Sequence, residues 1–101
     1  MLYVTNHAVK RTKERVGLPK RLTCKNADRA FEKGLRLGDT SGSLHRYIVS
    51  LYRSHENANN VRIYCNNVYI FHNGTLITIF PLPQKYRKTV DKLRREKNHG
   101  G

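Results

Sequence analysis

The stretch from Val61 to Phe80 constrains the fold of this chain most, because apolar and polar side chains alternate there with a period of two. It divides at Asn66-Asn67 and at Asn73-Gly74 into the segments 61–65, 68–72 and 75–80. Such pairs between alternating segments are typical of two-residue hairpin turns, since both positions tolerate a positive φ. The sequence therefore predicts a three-stranded antiparallel meander whose turns fix its register.

The register gives the two faces of this sheet different compositions. One face is entirely apolar and consists of Val61, Ile63, Cys65, Val68, Ile70, Ile77 and Ile79. We expect it to be the core face and to receive the helices, against Ala8, Val16, Ala27 and Phe31. The other face is aromatic and mixed, and consists of Arg62, Tyr64, Tyr69, Phe71, Leu76, Thr78 and Phe80. Tyr69 is predicted to lie directly opposite Thr78.

The flanking segments predict helices. Thr5 or Asn6 caps a helix to about Val16, which Gly17-Leu18-Pro19 ends. Thr23 is predicted to cap a second helix, which Gly34 stops. A third follows from the apolar spacing of Leu44, Tyr47, Ile48, Leu51 and Tyr52. The segment from Gln84 to Lys97 predicts a basic helix with a narrow apolar stripe of Tyr86, Val90 and Leu93.

These elements predict an α+β protein, with N-terminal helices packed on one face of an antiparallel β-meander and a basic C-terminal helix. With 101 residues, 38% of them apolar and no Trp, the chain has material for one thin core. Residues 1–83 are expected to form the domain, and residues 84–101 the basic helix and a frayed tail.

The charge of the chain indicates a polyanionic partner. Twenty Lys and Arg against seven Asp and Glu give a net charge of +13, and RNA, DNA, an anionic membrane surface or an acidic protein would neutralise it. No apolar run approaches the length of a membrane span and no signal peptide is recognisable, so we expect a cytoplasmic protein without a membrane partner. Cys24, Cys65 and the five His match no metal spacing, and no metal or cofactor is expected.

The spacing of His7, Arg11 and Arg15 places these three side chains on one side of the first helix. An imidazole can accept and donate protons near neutral pH, and a guanidinium group can donate two parallel hydrogen bonds to the oxygens of a phosphate. This combination favours the handling of a phosphodiester. Cleavage of RNA by acid–base catalysis also needs a second acid or base. His45, His55 and His72 all remain open for that role.

Other residues of the chain point to nucleic-acid contacts. Thr78 interrupts a strand of Leu and Ile and indicates a polar pocket, although Thr also favours strands intrinsically. Tyr64 and Tyr69 beside Arg62 are candidates for stacking bases. The last helix has seven positive and two negative residues from Gln84 to Lys97, which favours contacts along a phosphate backbone. Its candidate contact residues are Lys85, Arg87, Lys88, Arg94 and Arg95.

His7-Ala8-x-x-Arg11 in a first helix, followed by a meander whose last strand reads Leu76-Ile77-Thr78, resembles the small ribonuclease-toxin group with barnase, EndoU, colicin and RelE-like members. The chain is most similar to short phage or prophage proteins that begin with this helix, over roughly Tyr3 to Pro83. The resemblance implies metal-independent cleavage of RNA through a 2′,3′-cyclic phosphate. It also implies a site of His7, Arg11, Arg15 and Thr78, with Tyr64 or Tyr69 nearby.

Together these observations favour a metal-independent endoribonuclease or RNA-binding protein of toxin type, with RNA preferred to DNA and an acidic antitoxin as a partner to consider. The expected location is the cytoplasm of a bacterial host. A first alternative is a non-catalytic phage anti-defence inhibitor, of anti-CRISPR type, that occupies the guide-RNA or nucleic-acid channel of a bacterial defence ribonucleoprotein. A second is a small DNA-binding regulator, against which the hairpins argue.

Overall fold

Four α-helices and four strands are present in the computed structural model, which describes residues 3–55 and 58–100, the side chains of 98–100 excepted. In chain order they are β1 (Tyr3–Val4), α1 (Asn6–Val16), α2 (Lys20–Lys33), α3 (Gly42–Ser54), β2 (Asn60–Tyr64), β3 (Asn67–His72), β4 (Thr75–Pro81) and α4 (Arg87–Gly100). Short 3₁₀ segments lie at Leu37–Asp39 and Gln84–Tyr86. The predicted α+β class and C-terminal helix are confirmed.

The sheet is mixed, with the strands in the order β1-β4-β3-β2. The predicted antiparallel meander of β2, β3 and β4 is present. Strand β1 adds a parallel edge strand, in which Tyr3 lies opposite Thr75 and Val4 opposite Leu76. Two residues are too few to show a period in the sequence, so this strand was not predicted.

The first hairpin turn differs from the prediction by one residue. It consists of Cys65 and Asn66, with φ of 49° and 63°, so that Tyr64 pairs with Asn67. Asn tolerates this left-handed conformation, and two successive positive φ values make a type I′ turn. The change moves the pairing by two residues and leaves Val61 to Tyr64 on their predicted faces. The prediction of Cys65 on the core face is wrong, because Cys65 lies exposed in the turn. The second turn, Asn73-Gly74, is confirmed with φ of 49° and 79°.

A bulge changes the register between β3 and β4. The pairing is irregular between Ile70 and Phe71, and Tyr69 lies opposite Ile79 while Thr78 lies opposite Ile70. The predicted pairing of Tyr69 with Thr78 is therefore wrong. A bulge adds one residue to one strand and shifts the alternation beyond it. As a result Leu76 and Ile79 both lie in the cluster beneath α1 and α2.

Helices cover both faces of the sheet. Helices α1 and α2 pack through Ala8, Ala27 and Ala30 against Tyr69, Phe71 and Leu76 of the predicted aromatic face, and against Ile79, which was predicted on the core face. Helices α3 and α4 cover the opposite face, where their apolar residues bury Val61, Ile63, Val68 and Ile70. Those four strand residues are buried, as expected, but not against α1 and α2. Ile77 is only partly buried beside them, and Ile79 lies on the other face. The small Ala side chains let two helices approach large aromatic rings closely, so the aromatic face belongs to the core.

Helix α2 starts earlier than the sequence predicted. Its N-cap is Pro19, whose restricted φ suits a helix start. Thr23 lies in the first turn, where its hydroxyl donates to the Pro19 carbonyl at 3.0 Å. The predicted Thr23 cap is thus wrong, whereas the end before Gly34 is confirmed. Among the helices of the described ranges, none combines the length and apolar character that crossing a membrane requires.

Candidate active site

Helix α1 presents His7, Arg11 and Arg15 on its exposed side. Its start is fixed by Thr5, whose hydroxyl accepts a hydrogen bond from the Ala8 amide at 3.0 Å. Ala8 and Thr12 are fully buried on the other side of the helix, which packs against β4. The orientation of the helix is therefore set by its small buried residues. The imidazole and the two guanidinium groups are left at the surface beside the sheet.

Strand β4 supplies the hydroxyl of the site. Thr78 is 8% exposed and lies opposite Ile70, on the side of the sheet away from Leu76 and Ile79. Because a bulge precedes Thr78 in β4, this residue faces the side of the sheet opposite to the residues that pack under α1 and α2. Bulges often redirect a side chain next to a functional site. Here it leaves a hydroxyl in a strand that is otherwise apolar from Leu76 to Phe80.

The four residues predicted to be catalytic converge in one cleft. His7, Arg11 and Arg15 from α1 line it together with Thr78 from β4, and its volume is about 430 Å³. Seventy-one positions of the chain separate His7 from Thr78, so only the tertiary fold brings them together. Convergence of a proton-transfer group, guanidinium groups and a hydroxyl in one cleft is the geometric condition for phosphodiester chemistry.

His55 contributes a second imidazole to the same cleft. It ends α3, where its Nδ1 lies 3.1 Å from the Leu51 carbonyl oxygen and 3.2 Å from the Ser54 hydroxyl. Since a carbonyl oxygen only accepts, this contact favours a proton on Nδ1 and leaves Nε2 available to a substrate. The ring stacks on Phe80 with 6.4 Å between centroids and 18° between planes. Both contacts hold the imidazole in place.

The structure thus distinguishes His55 from the two other candidates for the second acid or base. His45 lies at the start of α3, where its Nδ1 is 3.3 Å from the Thr40 hydroxyl. His72 is exposed at the end of β3, beside Asn73. Neither lines the cleft. No period or spacing in the sequence marks His55, because its place depends on where α3 ends relative to β4.

The electrostatics of the cleft are positive. Of the residues described, those that line it include two guanidinium groups and no carboxylate. No cluster of three or more metal-ligating side chains occurs within residues 3–55 and 58–97. A cleft with fixed cations and without acidic groups attracts a phosphate and leaves proton transfer to the imidazoles.

The strand residues predicted to stack bases lie in less accessible places. Tyr69 has no exposed surface, and burial raises the pKa of its hydroxyl; its ring is therefore not available to a base. Tyr64 is half-buried and packs at the margin of the cluster under α1 and α2. None of the three predicted residues on β2 and β3 lines the cleft.

Arg62, the third of these residues, serves the packing of β2 and α2. It is 8% exposed, its Nε donates to Asn60 Oδ1 at 2.7 Å, and its Cζ lies 5.3 Å from the centroid of the Phe31 ring. Burial lowers the pKa of its guanidinium. These contacts account for the conformation of Arg62 without a nucleic acid.

The basic residues predicted on and before the last helix are exposed: Lys85, Arg87, Lys88, Arg94 and Arg95. None of them lines the cleft. Tyr86 and Val90 bury the apolar stripe of the helix in the cluster with α3. Helix α4 is therefore packed on the domain through one side, and its charges are presented on the other.

Comparison of the chain with protein-family models, with curated proteins and with solved structures finds no match. The resemblance to the ribonuclease-toxin group therefore rests on the motifs of the sequence alone.

Proposed function

We propose that this chain is a metal-independent endoribonuclease whose active site is the cleft between α1, β4 and the end of α3. One observation carries the proposal: two imidazoles, two guanidinium groups and a hydroxyl line one cavity. Each group alone is common on protein surfaces. Their combination matches what transesterification of a phosphodiester requires, namely two proton carriers and a clamp for a negatively charged phosphorus centre.

The proposed reaction begins with the 2′-hydroxyl of the substrate, which attacks the adjacent phosphorus. One imidazole, His7 or His55, accepts the proton of that hydroxyl. The bond from phosphorus to the 5′ oxygen then breaks, and the other imidazole donates a proton to the leaving oxygen. The products are a 2′,3′-cyclic phosphate and a free 5′-hydroxyl. Protons balance without an added metal or cofactor.

In this mechanism Arg11 and Arg15 hold the non-bridging oxygens of the phosphate. Charge on these oxygens increases in the transition state, so preorganised cations stabilise it more than the ground state. Thr78 donates a hydrogen bond to the phosphate from the floor of the cleft. DNA lacks the attacking hydroxyl and is expected to bind without being cut. We expect the activity in the cytoplasm of a bacterial host.

The test is incubation of the purified protein with an oligoribonucleotide and with the DNA of the same sequence, each with and without excess EDTA. We expect cleavage of the RNA only, with 2′,3′-cyclic phosphate termini identified by mass spectrometry. His7→Ala should abolish the reaction, whereas His72→Ala, an exposed His outside the cleft, should retain it. Inhibition by EDTA, or equal cutting of DNA, contradicts the proposal. RNA binding without any cleavage supports the non-catalytic inhibitor instead.

A further inference from the structure

A second cavity lies at the opposite edge of the sheet and shares no residue with the cleft. It is a niche of about 140 Å³ between β2, the β2–β3 turn and α4. Leu35, Ile63 and Val90 form its apolar wall, and each is at most 5% exposed. Leu35 also pairs with Ile63 through two backbone hydrogen bonds of 2.9 and 3.0 Å. This pairing closes part of the β2 edge to a further strand.

The rim of the niche is predominantly cationic. Lys33, Arg94 and Lys97 line it together with one carboxylate, Asp91, and Lys97 is already paired with Asp39 at 3.1 Å. Arg94 lies 3.7 Å from Asp91 in an exposed pair, with 57% and 49% of the two side chains accessible. Such pairs are weak and exchange readily for a stronger anion. The niche therefore combines an apolar interior with cations that an incoming phosphate can recruit.

We propose that this niche binds one nucleotide unit, with the base against the apolar wall and the phosphate at Lys33 and Arg94. An apolar cavity of roughly 150 Å³ accepts a single benzene ring, so the volume of the niche fits one planar ring. The rim supplies the charge that complements a phosphate next to that ring. A peptide that adds a strand is disfavoured, because Leu35 already occupies the hydrogen-bonding positions of Ile63.

The consequence is a second contact for nucleic acid that is independent of the chemistry in the cleft. A niche that accepts one ring should prefer the single-ring pyrimidine bases to the two-ring purines. The same chemistry is found in free nucleotides and in an RNA strand. The niche deepens the proposed function, because it anchors the RNA substrate at a point remote from the scissile phosphate. It should bind a nucleotide unit whether or not the chain cleaves RNA.

Binding is tested with ligands that cannot be cleaved: uridine 5′-monophosphate, and an oligoribonucleotide methylated on every 2′ oxygen. We expect two-dimensional NMR of the labelled protein to show shifts of the Cys65, Asn66 and Val90 amides with the oligonucleotide. The same shifts with the mononucleotide identify a site for free nucleotides as well, whereas shifts with the strand alone assign the site to RNA. Shifts absent with both ligands overturn the proposal.

Charge variants and thiol labelling then separate the niche from the general charge of the chain. Lys33→Gln and Arg94→Gln should each lower the salt slope of oligonucleotide binding by about 1, and Lys25→Gln, an exposed cation of α2 outside the niche, should not.

Cys65 lines the niche and is exposed. Its alkylation in a Cys24→Ser background should abolish the NMR shifts around Val90. Rim variants that match Lys25→Gln, or shifts that survive alkylation, refute the site. Because no step requires cleavage, failure of the catalytic proposal leaves this result interpretable.

Discussion

The first and last helices are both strongly basic, but the fold uses their charges differently. Helix α1 brings Arg11 and Arg15 into a cleft that also holds Thr78 and an imidazole from another element. Helix α4 packs through Val90 and keeps most of its cations on the outer surface. A basic helix indicates a polyanionic partner in either case. Chemistry on that partner also requires convergence with proton-transfer groups, which α1 achieves in the cleft.

The difference originates in the residues that face the sheet. Helix α1 buries Ala8 and Thr12, whose small size brings its backbone close to β4 and places its exposed side next to the cleft. Helix α4 presents a stripe of larger side chains to the opposite face. The packing residues thus decide which charges become part of a site, although they take no part in the chemistry.

If the cleft and not α4 carries the chemistry, loss of an imidazole from the cleft should have the largest effect on the rate of RNA cleavage. His55→Ala should reduce the rate of RNA cleavage by about 10²–10⁴-fold, the usual contribution of a positioned acid or base. Substitution of an α4 cation should leave the rate at saturating RNA nearly unchanged. The measurement is single-turnover cleavage of a labelled oligonucleotide, with His45→Ala as the matched control. A rate for His55→Ala equal to that of the control removes His55 from the mechanism.

Arg11 provides a sharper distinction between charge and geometry. Arg11→Lys keeps the positive charge but loses the planar pair of donors that matches phosphate oxygens. We expect cleavage to fall by about 10²-fold, the order expected for loss of one transition-state donor, and affinity for an uncleavable RNA to change little. Cleavage and binding are measured on the same preparation. Equal losses in both would mean that Arg11 contributes only to ground-state binding.

A third prediction concerns the two faces of the sheet that support these helices. Ile70, beneath α3 and α4, and Leu76, beneath α1 and α2, both have no exposed surface. Ile70→Ala and Leu76→Ala should each lower the free energy of unfolding by about 2–5 kcal/mol. Chemical denaturation measures the loss, with the 42%-exposed Leu22→Ala as a nearly neutral control. A neutral Leu76→Ala would contradict a core on both faces.

Patterns among neighbouring residues predicted most of the helices and strands. The features that these patterns did not predict depend on packing between distant parts of the chain. The α1 cap at Thr5, the second hairpin turn and the α4 helix all follow from neighbouring residues. The bulge in β4 does not, because nothing local distinguishes Ile77 from its neighbours. The bulge places Thr78 opposite Ile70 and not opposite Tyr69. Tyr69 is buried by α1 and α2, whose Ala residues are distant from it in sequence.

The candidate site divides in the same way. His7, Arg11 and Arg15 share a helix face that their spacing predicts, and Thr78 stands out because a hydroxyl is unusual among Leu and Ile. His55 was one of three equivalent candidates until the fold placed the end of α3 over Phe80. A pattern predicts residues that share one element. It does not predict which residue of a separate element completes the site.

The charges of α4 should affect affinity rather than rate. Deleting the helix is a poor test, because Tyr86 and Val90 belong to the core. Replacing Arg87, Lys88 and Arg95 by Gln should instead lower the salt slope of RNA binding by up to about 3, since each phosphate contact contributes about 1. Fluorescence anisotropy across a salt series gives the slope. An unchanged slope would exclude this outer surface from the interface.

The smallest expected effect concerns the anchor at the C-terminal end of α4. Asp39 accepts hydrogen bonds from the Arg36 amide at 2.9 Å and from Lys97 Nζ at 3.1 Å. Burial by itself raises the pKa of the Asp39 carboxyl, but these two bonds outweigh it and lower the pKa below its ordinary value. A lowered pKa in the folded state means that the carboxylate stabilises folding above the pKa of the unfolded chain.

This contribution should disappear as the pH falls through the lower pKa of the folded state, below about pH 4. Asp39→Asn should therefore reduce stability at neutral pH and flatten its decline on the acid side. For a pair of this accessibility, with 35% and 32% of the side chains exposed, we expect a coupling of about 0.2–1 kcal/mol in a double-mutant cycle with Lys97→Gln. The measurement is urea unfolding along a pH series from 7 into the acid range where the Asp39 carboxyl is protonated. A coupling that does not decrease anywhere along this series would show that the ionised carboxylate is not what holds α4 to the 3₁₀ segment.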